Sequence, residues 1–336
     1  MVMKIVVRAP NWIGDVVLSF PAIENLRKNL PQAQTWIAAR EEVQDLYLSF
    51  DFVKGIIPLS GLNNFKNLKE AAKKIKEYNF DIGLLLTNSF SSALLFYLAK
   101  IPQRWGYSRD NRGFLLTKGV PFKNQDEAPS HQVNYYLNLI SGLGFKTSNP
   151  ELVLPLSPEE QEWAKNELSA LGYDSKKPLV IINPGAYYGP AKRWPASRFA
   201  ELASMLQEKN KVQILIVGSA EEAELAESIA SSMSERPINM TGKTTLRQLA
   251  ELISLADLFI TNDSGPMHIT NALRIPLIAI FGPTDPRLTG PFHQPAAVIK
   301  KEVPCWPCSY RKCPFDHRCM TEIGPAEIFT ESQNFL

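Results

Sequence analysis

The stretch from Ile260 to His268 carries the residue types and the spacing most typical of a chemical site, in the order Ile-Thr-Asn-Asp-Ser-Gly-Pro-Met-His. The apolar run that leads into it predicts a strand, and Asn-Asp-Ser-Gly-Pro predicts a turn that opens a helix at Met267. Asp263 or Ser264 can cap that helix, and Pro266 suits its first turn, where a backbone N–H has no intrahelical partner. Such a helix start attracts phosphate through its free N–H groups and the helix dipole. The stretch is therefore either a phosphate site or an ordinary capped loop.

A second loop, Gly185 to Pro195, offers cations for the same kind of ligand. It follows the predicted strand Leu179 to Ile182 and combines small residues with the adjacent pair Lys192 and Arg193. Of the two, Lys192 is the better phosphate partner, because a compact ammonium can neutralise the charge that develops on a leaving group. An exposed basic loop without a ligand is the alternative interpretation.

Asp15 is the carboxylate that the first part of the chain places at a strand-to-helix turn. The predicted strand Lys4 to Arg8 is followed by the turn Pro10 to Asp15 and by a helix from about Val16 to Asn29, which together form a Rossmann-like opening. The turn lacks the G-x-G-x-x-G pattern, so the sequence does not predict dinucleotide binding. From this segment alone, Asp15 is either a helix N-cap or a catalytic carboxylate.

Strands and helices alternate along the chain and predict an α/β protein with mostly parallel sheets. A chain of 336 residues is long for one core, so we predict two domains, with a boundary in the Pro- and Ser-rich segment from Thr147 to Pro158. The first domain is predicted at residues 1–157, the second at 158–320, and a terminal segment, 321–336, is expected to pack back toward the first domain. Four strands of the second half end in small or turn-forming residues, which favours a nucleotide-type crevice at the carboxyl edge of its sheet.

The composition argues against two classes of protein. The chain has 36 Lys and Arg against 34 Asp and Glu, a formal net charge of +2, which disfavours a nucleic-acid-binding protein. No apolar run approaches the roughly 18–20 residues that span a bilayer. The first residues resemble a strand more than a signal peptide, so we expect a cytoplasmic protein.

An anionic partner must therefore be bound by local basic patches. Five lysines from Lys66 to Lys76 share a predicted helix, which is either a solvated face or a binding surface. Arg104, Arg109 and Arg112 lie in a turn-rich segment with interleaved aromatic residues. That combination suits an anionic or sugar-bearing ligand, and it equally suits surface ion pairs.

Four segments of the chain resemble the lipopolysaccharide core heptosyltransferases of glycosyltransferase family 9. They occur in the family's order and at family-like spacing across most of the chain. The segments are Asn11–Asp15, Pro184–Pro195, Thr261–His268 and Phe281–Thr284. The resemblance implies a GT-B fold, in which two Rossmann-like domains face each other across a cleft, and an inverting transfer that needs no metal or other cofactor.

The same resemblance implies the substrates. The donor is ADP-L-glycero-D-manno-heptose (ADP-heptose), bound mainly by the second domain. The acceptor is the heptosyl-Kdo inner core on Kdo-lipid A, bound by the first domain in peripheral contact with the cytoplasmic face of the inner membrane. A related transferase for a different sugar or core position is one alternative. A non-catalytic nucleotide-sugar-binding protein is another, and the presence of both Asp15 and Lys192 argues against it.

The family's site residues correspond to the motifs described above. The resemblance implies that Asp15 is the general base that takes the proton of the acceptor hydroxyl. It also implies that Lys192 is the cation that stabilises the diphosphate leaving group. An inverting displacement needs both groups, because a carboxylate must act opposite a leaving group whose growing charge is met by cations and dipoles. The donor-binding positions implied in the same way are Gly185, Lys192, Glu222, Thr244, Asp263, Ser264, Gly265 and His268. For the acceptor we predict Arg104, Arg109 and Arg112.

All four cysteines of the chain, Cys305, Cys308, Cys313 and Cys319, fall in one short segment. Their density suits a zinc site, but their spacing is not that of a standard zinc ribbon. Structural zinc, reduced buried thiols, and an acceptor-side loop in which the basic residues matter more than the sulfurs are the three interpretations. We expect no metal and no catalytic role for the cysteines.

Overall fold

The short apolar runs of the sequence form two sheets of six strands each. The structure is a computed structural model that describes residues 2–62, 64–122 and 130–336. The chain divides into two units, Met1–Val153 and Leu154–Leu336, so the division falls inside the predicted Pro- and Ser-rich segment. Among the helices of these described ranges, none is both long enough and apolar enough to cross a membrane.

The first unit is a parallel sheet with the strand order β3-β2-β1-β4-β5-β6, which is the doubly wound Rossmann order. Because β1 and β4 begin the two halves of that order, the crevice of the fold is expected where their carboxyl ends meet. The strands are β1 (Lys4–Arg8), β2 (Gln34–Arg40), β3 (Val53–Leu59), β4 (Ile82–Leu85), β5 (Gln103–Tyr107) and β6 (Lys118–Val120). The helices are α1 (Ile13–Asn29), α2 (Glu41–Gln44), α3 (Phe65–Glu77), α4 (Phe90–Leu98) and α5 (Gln132–Gly142).

The second unit repeats this topology, since its order β12-β11-β10-β7-β8-β9 is the same pattern read from the other side. Here β7 and β10 are the neighbours at the switch point, and both are buried throughout. The strands are β7 (Leu179–Asn183), β8 (Gln213–Ile216), β9 (Ile238–Asn239), β10 (Leu258–Asn262), β11 (Leu277–Phe281) and β12 (Ala296–Lys300). The helices are α6 (Pro158–Ala170), α7 (Ala196–Asn210), α8 (Ala223–Ser232), α9 (Leu246–Ile253), α10 (Gly265–Ala272), α11 (Pro286–Thr289), α12 (Arg318–Thr321) and α13 (Pro325–Ser332).

The last residues of the chain contribute to the core of the second unit. The segment 321–336 lies in the second unit, where Ile323 and Ile328 are fully buried in the core and α13 packs on α7. The apolar side chains of α13 are therefore buried within the second unit, and the packing of this segment toward the first unit stays a prediction.

Candidate active site

Asp15 lies in the first turn of α1, directly after the carboxyl end of β1. The N-cap of α1 is Trp12, so the interpretation of Asp15 as the N-cap is wrong. The Oδ1 atom of Asp15 instead accepts hydrogen bonds from two residues of α5, the Tyr136 hydroxyl at 3.1 Å and Gln132 Nε2 at 3.3 Å. These contacts hold the carboxylate at the switch point of the first sheet.

The protonation of Asp15 is set by two opposing influences. Burial raises the pKa of this carboxyl above its usual value, while the hydrogen bonds from Tyr136 and Gln132 lower it. Burial has the larger effect, so the carboxylate binds a proton more readily than an ordinary aspartate does. Both described hydrogen bonds of the Asp15 carboxylate end on Oδ1 and none of them on Oδ2. The arrangement suits a general base.

Lys192 and Asp263 form a buried ion pair at the switch point of the second sheet. Their side chains are 11% and 5% exposed, and the ammonium of Lys192 contacts Asp263 Oδ2 directly. Thr284 donates its hydroxyl to the same oxygen at 2.6 Å. Lys192 comes from the loop after β7 and Asp263 follows β10, so adjacent parallel strands bring together residues that are 71 positions apart.

The segment 309–317 holds the Lys192 loop from outside. Gly189 has a φ of +154°, and a Cβ there would lie 2.3 Å from the carbonyl oxygen of Arg311. The same carbonyl accepts a hydrogen bond from the backbone of Ala191 at 3.1 Å, and the His317 Nε2 atom is 2.7 Å from the Ala191 carbonyl oxygen. Only glycine tolerates this backbone conformation together with this close approach. The cysteine-containing segment thus positions Lys192.

Asn262 is a residue of the site that the sequence analysis missed. Its side chain is fully buried; Nδ2 donates to the carbonyl of Pro184 at 2.7 Å, and Oδ1 accepts from the backbone N–H of Trp194 at 3.0 Å. It therefore ties the two ends of the Lys192 loop to β10. The only sequence signal was its place beside Asp263 in the family-like stretch, and that signal does not reveal the clamp.

The start of α10 agrees with the predicted helix start in part. Ser264 stands at the N-cap position, but its hydroxyl is paired with the Thr261 hydroxyl at 3.0 Å instead of capping the helix. Pro266 occupies the first turn, as predicted. The side chain of Ser264 therefore does not cap the first turn of α10, and a helix start of this kind can direct backbone N–H groups to a ligand at this edge. His268, one turn further along, is buried at 5% exposure.

Gly185 and Glu222 adjoin each other at the carboxyl ends of β7 and β8. A Cβ at Gly185 would lie 1.9 Å from Glu222 Oε1, so the glycine makes room for the carboxylate. Glu222 also accepts from the backbone of Ser219 at 2.9 Å in a capping box. Thr244 lies just before Thr245, which is the N-cap of α9. These positions line the same sheet edge, although capping already accounts for one oxygen of Glu222.

The three candidate acceptor arginines have different environments. Arg112 is fully buried, burial lowers its pKa to about 10, and it donates to the carbonyls of Thr87 and Tyr107. Arg104 lies toward the amino end of β5, where it donates to the Leu115 carbonyl at 2.7 Å. Both side chains therefore support the local backbone, and the prediction that they bind the acceptor lacks structural support.

Arg109 lies near the carboxyl end of β5 and differs in this from Arg104. It follows the carboxyl end of β5, on the sheet edge that also carries Asp15. Its guanidinium lies 4.1 Å from the centre of the Phe122 ring, and it is partly exposed. Of the three predicted arginines, Arg109 is the one that remains a candidate.

The four cysteines surround one cavity of about 290 Å³. Cys319 is buried, and both burial and the neighbouring thiols raise its pKa to about 11. Among the described residues, no group of three or more His, Cys, Asp or Glu side chains has an arrangement that could hold a metal ion. The absence of a metal from the cysteine-containing segment stays a prediction.

Comparison with known proteins covers nearly the whole chain. The model of glycosyltransferase family 9 (heptosyltransferase) matches residues 69–318. The lipooligosaccharide heptosyltransferase 2 of Campylobacter jejuni is 31% identical over 99% of this chain and 98% of its own length. The lipopolysaccharide heptosyltransferase 2 of Escherichia coli K12 is 32% identical over 89% and 88%. The solved structure of E. coli ADP-heptose LPS heptosyltransferase II is 28% identical, with a TM-score of 0.86 over 99% of this chain and 98% of that one. These similarities confirm the predicted α/β fold class.

Proposed function

The chain belongs to glycosyltransferase family 9, and we propose that it acts as a heptosyltransferase II, moving L-glycero-D-manno-heptose from ADP-heptose to the heptosyl-Kdo inner core of lipopolysaccharide. The observation that carries this proposal is the Lys192–Asp263 pair beside the start of α10 at the switch point of the second sheet. A cation, a carboxylate and a helix N-terminus together suit the diphosphate and the sugar of a nucleotide-sugar donor.

On the donor side, the ion pair exchanges partners when ADP-heptose binds. The diphosphate takes over the ammonium of Lys192 and accepts hydrogen bonds from the first turn of α10. Asp263 is then available to accept hydrogen bonds from the heptose hydroxyls. Gly185, Glu222, Thr244 and His268 complete the donor site in this proposal. As the bond from the anomeric carbon to the diphosphate breaks, Lys192 neutralises the charge of the departing ADP.

On the acceptor side, Asp15 acts as the general base. A heptose hydroxyl oxygen of the acceptor attacks the anomeric carbon, its proton passes to Asp15, and ADP leaves from the opposite face. The raised pKa of Asp15 favours this step, because a stronger base draws the proton more effectively. Arg109 is proposed to bind an anionic group of the acceptor.

The proposed reaction needs no metal or other cofactor. Lys192 and the helix start supply the positive charge that a divalent cation supplies in metal-dependent transferases. Because the acceptor is a membrane glycolipid, the protein works in peripheral contact with the cytoplasmic face of the inner membrane.

The decisive experiment offers the enzyme ADP-heptose together with inner-core acceptors that carry no heptose, one heptose or two heptoses. We expect transfer to the acceptor with one heptose only, measured as a mass increase of the glycolipid. A nucleotide sugar with a hexose in place of the heptose is the control donor. Transfer to a different acceptor, or from the hexose donor, would identify a related transferase of the family. Donor binding without transfer to any acceptor would identify a non-catalytic binding protein.

A further inference from the structure

Helix α3 of the first unit has one buried face and one strongly basic face. Leu68, Ala72 and Ile75 are buried in the core of the unit. The opposite face exposes five lysines against the two glutamates Glu70 and Glu77. The lysines are Lys66, Lys69, Lys73, Lys74 and Lys76. Among the ion pairs of the described residues none includes these lysines, so their charge is directed to whatever lies outside the helix.

Three phenylalanines are exposed, one at the start of α3 and two in the elements that follow β4 and β5. Phe65, Phe90 and Phe114 are 57%, 44% and 75% exposed, and the rings of Phe90 and Phe114 lie 6.1 Å apart. The ammonium of Lys69 lies 4.5 Å from the centre of the Phe65 ring, so a cation and an aromatic ring already share one spot. Large apolar side chains that cluster at a surface commonly mark a binding site.

The topology places these phenylalanines at the edge of the sheet that carries Asp15. Phe65 and Phe90 are the first residues of α3 and α4, which follow the parallel strands β3 and β4 and pack against each other. Helices that follow parallel strands start at the carboxyl edge of the sheet. The short 3₁₀ helix that contains Phe114 likewise follows β5.

We propose that this surface, the five lysines of α3 together with Phe65, Phe90 and Phe114, docks the first unit on an anionic phospholipid bilayer. The ammonium groups meet lipid phosphates while their aliphatic stems lie along the headgroups. The phenyl rings enter the boundary between headgroups and acyl chains. Docking brings the Asp15 edge to the bilayer, where a glycolipid acceptor is anchored. The inference rests on the proposed function in this last step only, because lipid binding itself does not require heptose transfer.

The test measures co-sedimentation of the full chain with vesicles of phosphatidylethanolamine and phosphatidylglycerol. We expect binding that increases with the phosphatidylglycerol content, weakens as salt is added and is absent with phosphatidylcholine alone. The variant with Lys66→Glu, Lys69→Glu and Lys73→Glu should bind at least about tenfold more weakly, because each lysine near an anionic surface contributes about fivefold. Equal binding to neutral vesicles, or unchanged binding by the variant, would overturn the proposal.

A matched control removes the same charge from exposed positions of the second unit, with Lys165→Glu, Lys176→Glu and Lys177→Glu. This variant should bind vesicles within about twofold of the wild type. An equal loss in both variants would show that net charge acts without a defined surface, and would overturn the proposal. A second variant, Phe90→Ser with Phe114→Ser, should lose the binding that persists at high salt. If this variant bound vesicles at high salt as strongly as the wild type does, the phenylalanines would not belong to the docking surface, and that part of the proposal would be overturned.

A measurement of heptose transfer separates the two proposals. The α3 variant should lose more transfer to glycolipid in vesicles than to the same glycolipid dispersed in detergent, and equal losses would contradict the docking surface. If the wild type binds anionic vesicles but transfers no heptose in either form, the proposed function fails while the docking surface stands. Because the replaced side chains are exposed, we expect the variants to fold, and thermal unfolding checks this.

Discussion

Asp15 illustrates how two neighbours can tune a single carboxylate. Its partial burial makes the charged form costly and raises its pKa, and the donors Tyr136 and Gln132 recover part of that cost. A base with a raised pKa accepts protons well but is protonated, and so inactive, at a higher pH than an ordinary aspartate. The two donors therefore extend the range over which Asp15 is ionised.

The first prediction concerns Tyr136→Phe, which removes one of these donors and keeps the ring. Because the hydroxyl lowers the pKa of Asp15, its loss should raise that pKa further, and the acidic limb of kcat/KM against pH should move to higher pH. Between the old and new limbs we expect a loss of about three- to tenfold. Activity should recover toward the wild-type value at higher pH.

Tyr135→Phe is the matched control for this prediction. The Tyr135 hydroxyl is 2.6 Å from Asn88 Nδ2, so its removal should leave the acidic limb in place. A purely structural role for Tyr136 would lower the rate equally at every pH. A pH-independent loss would therefore contradict the positioning of Asp15 by Tyr136.

The individual site residues were only partly predictable from sequence. The turns after β1 and β10 could be recognised, because turn-forming residues follow apolar runs. The partners of Asp15 could not, since Gln132 and Tyr136 lie 117 and 121 positions away and only the tertiary fold pairs α1 with α5. The burial of Arg112 could not be predicted for a similar reason. An arginine in a loop usually reaches solvent, but here the chain buries it against backbone carbonyls.

Among the elements, α6 and α9 depend on one buried ion pair. Arg247 Nε and Nη2 donate to the two carboxylate oxygens of Glu160 at 2.6 and 2.7 Å, and these side chains are 6% and 20% exposed. Arg247 also donates to the Pro155 carbonyl at 2.6 Å. Glu251 lies nearby at 5% exposure, and burial and Glu160 raise its pKa while Arg247 lowers it. One cation thus serves two carboxyl groups and the segment that begins the second unit.

The second prediction is that Arg247→Met destabilises the second unit. Removing the cation leaves buried carboxylates without compensation, so the free energy of unfolding should fall by about 3 kcal/mol at neutral pH. When folding raises the pKa of a carboxyl group, the free energy of unfolding falls as the pH rises through that pKa. The loss of Arg247 raises the pKa further. The deficit should therefore shrink as the pH falls and the carboxyl groups take up protons. Chemical denaturation at several pH values measures this.

Arg236→Met provides the surface control for this ion pair. Arg236 pairs with Glu227 at 2.8 Å, but the two side chains are 75% and 51% exposed. Its loss should change the free energy of unfolding by no more than about 0.5 kcal/mol, independently of pH. If both variants lowered the free energy of unfolding by the same amount, the claim that the buried pair contributes more stability than the exposed pair would be wrong.

At the level of elements, the order of strands and helices was predictable from the sequence, but the contacts between distant segments were not. The α/β alternation followed from local features, namely apolar runs and turn residues. The support of the Lys192 loop by residues 309–317 did not, because that support consists of backbone contacts such as Ala191 to Arg311. The burial of α13 in the core of the second unit could not be read from the sequence either, since an apolar helical stripe does not specify which core it joins.

The whole molecule divides its chemistry between two sheets of identical topology. The first sheet carries the candidate base Asp15 after β1, and the second carries the candidate donor site after β7 and β10. Doubly wound sheets bind ligands at this switch point because the helices diverge there and expose the strand ends. Repetition of one topology thus provides two separate binding edges in a single chain, each specialised by its loops.

The third prediction follows from this division. Asp15→Asn should abolish transfer yet leave the affinity for ADP within about twofold, whereas Lys192→Met should weaken ADP binding by about tenfold or more. Arg193→Met is the control for Lys192, since it removes the adjacent cation of the same loop and should weaken ADP binding far less. Calorimetry of ADP binding and initial rates with the one-heptose acceptor measure the two effects.

The stability of Asp15→Asn makes this test interpretable. Folding raises the pKa of Asp15, so its ionised form at neutral pH costs stability, and the neutral amide should leave the fold equally or more stable. Lost transfer in this variant then reflects the missing base and not an unfolded chain. If Asp15→Asn instead lost ADP binding as strongly as Lys192→Met does, the donor would depend on both sheets, and the assignment of separate roles to the two units would be wrong.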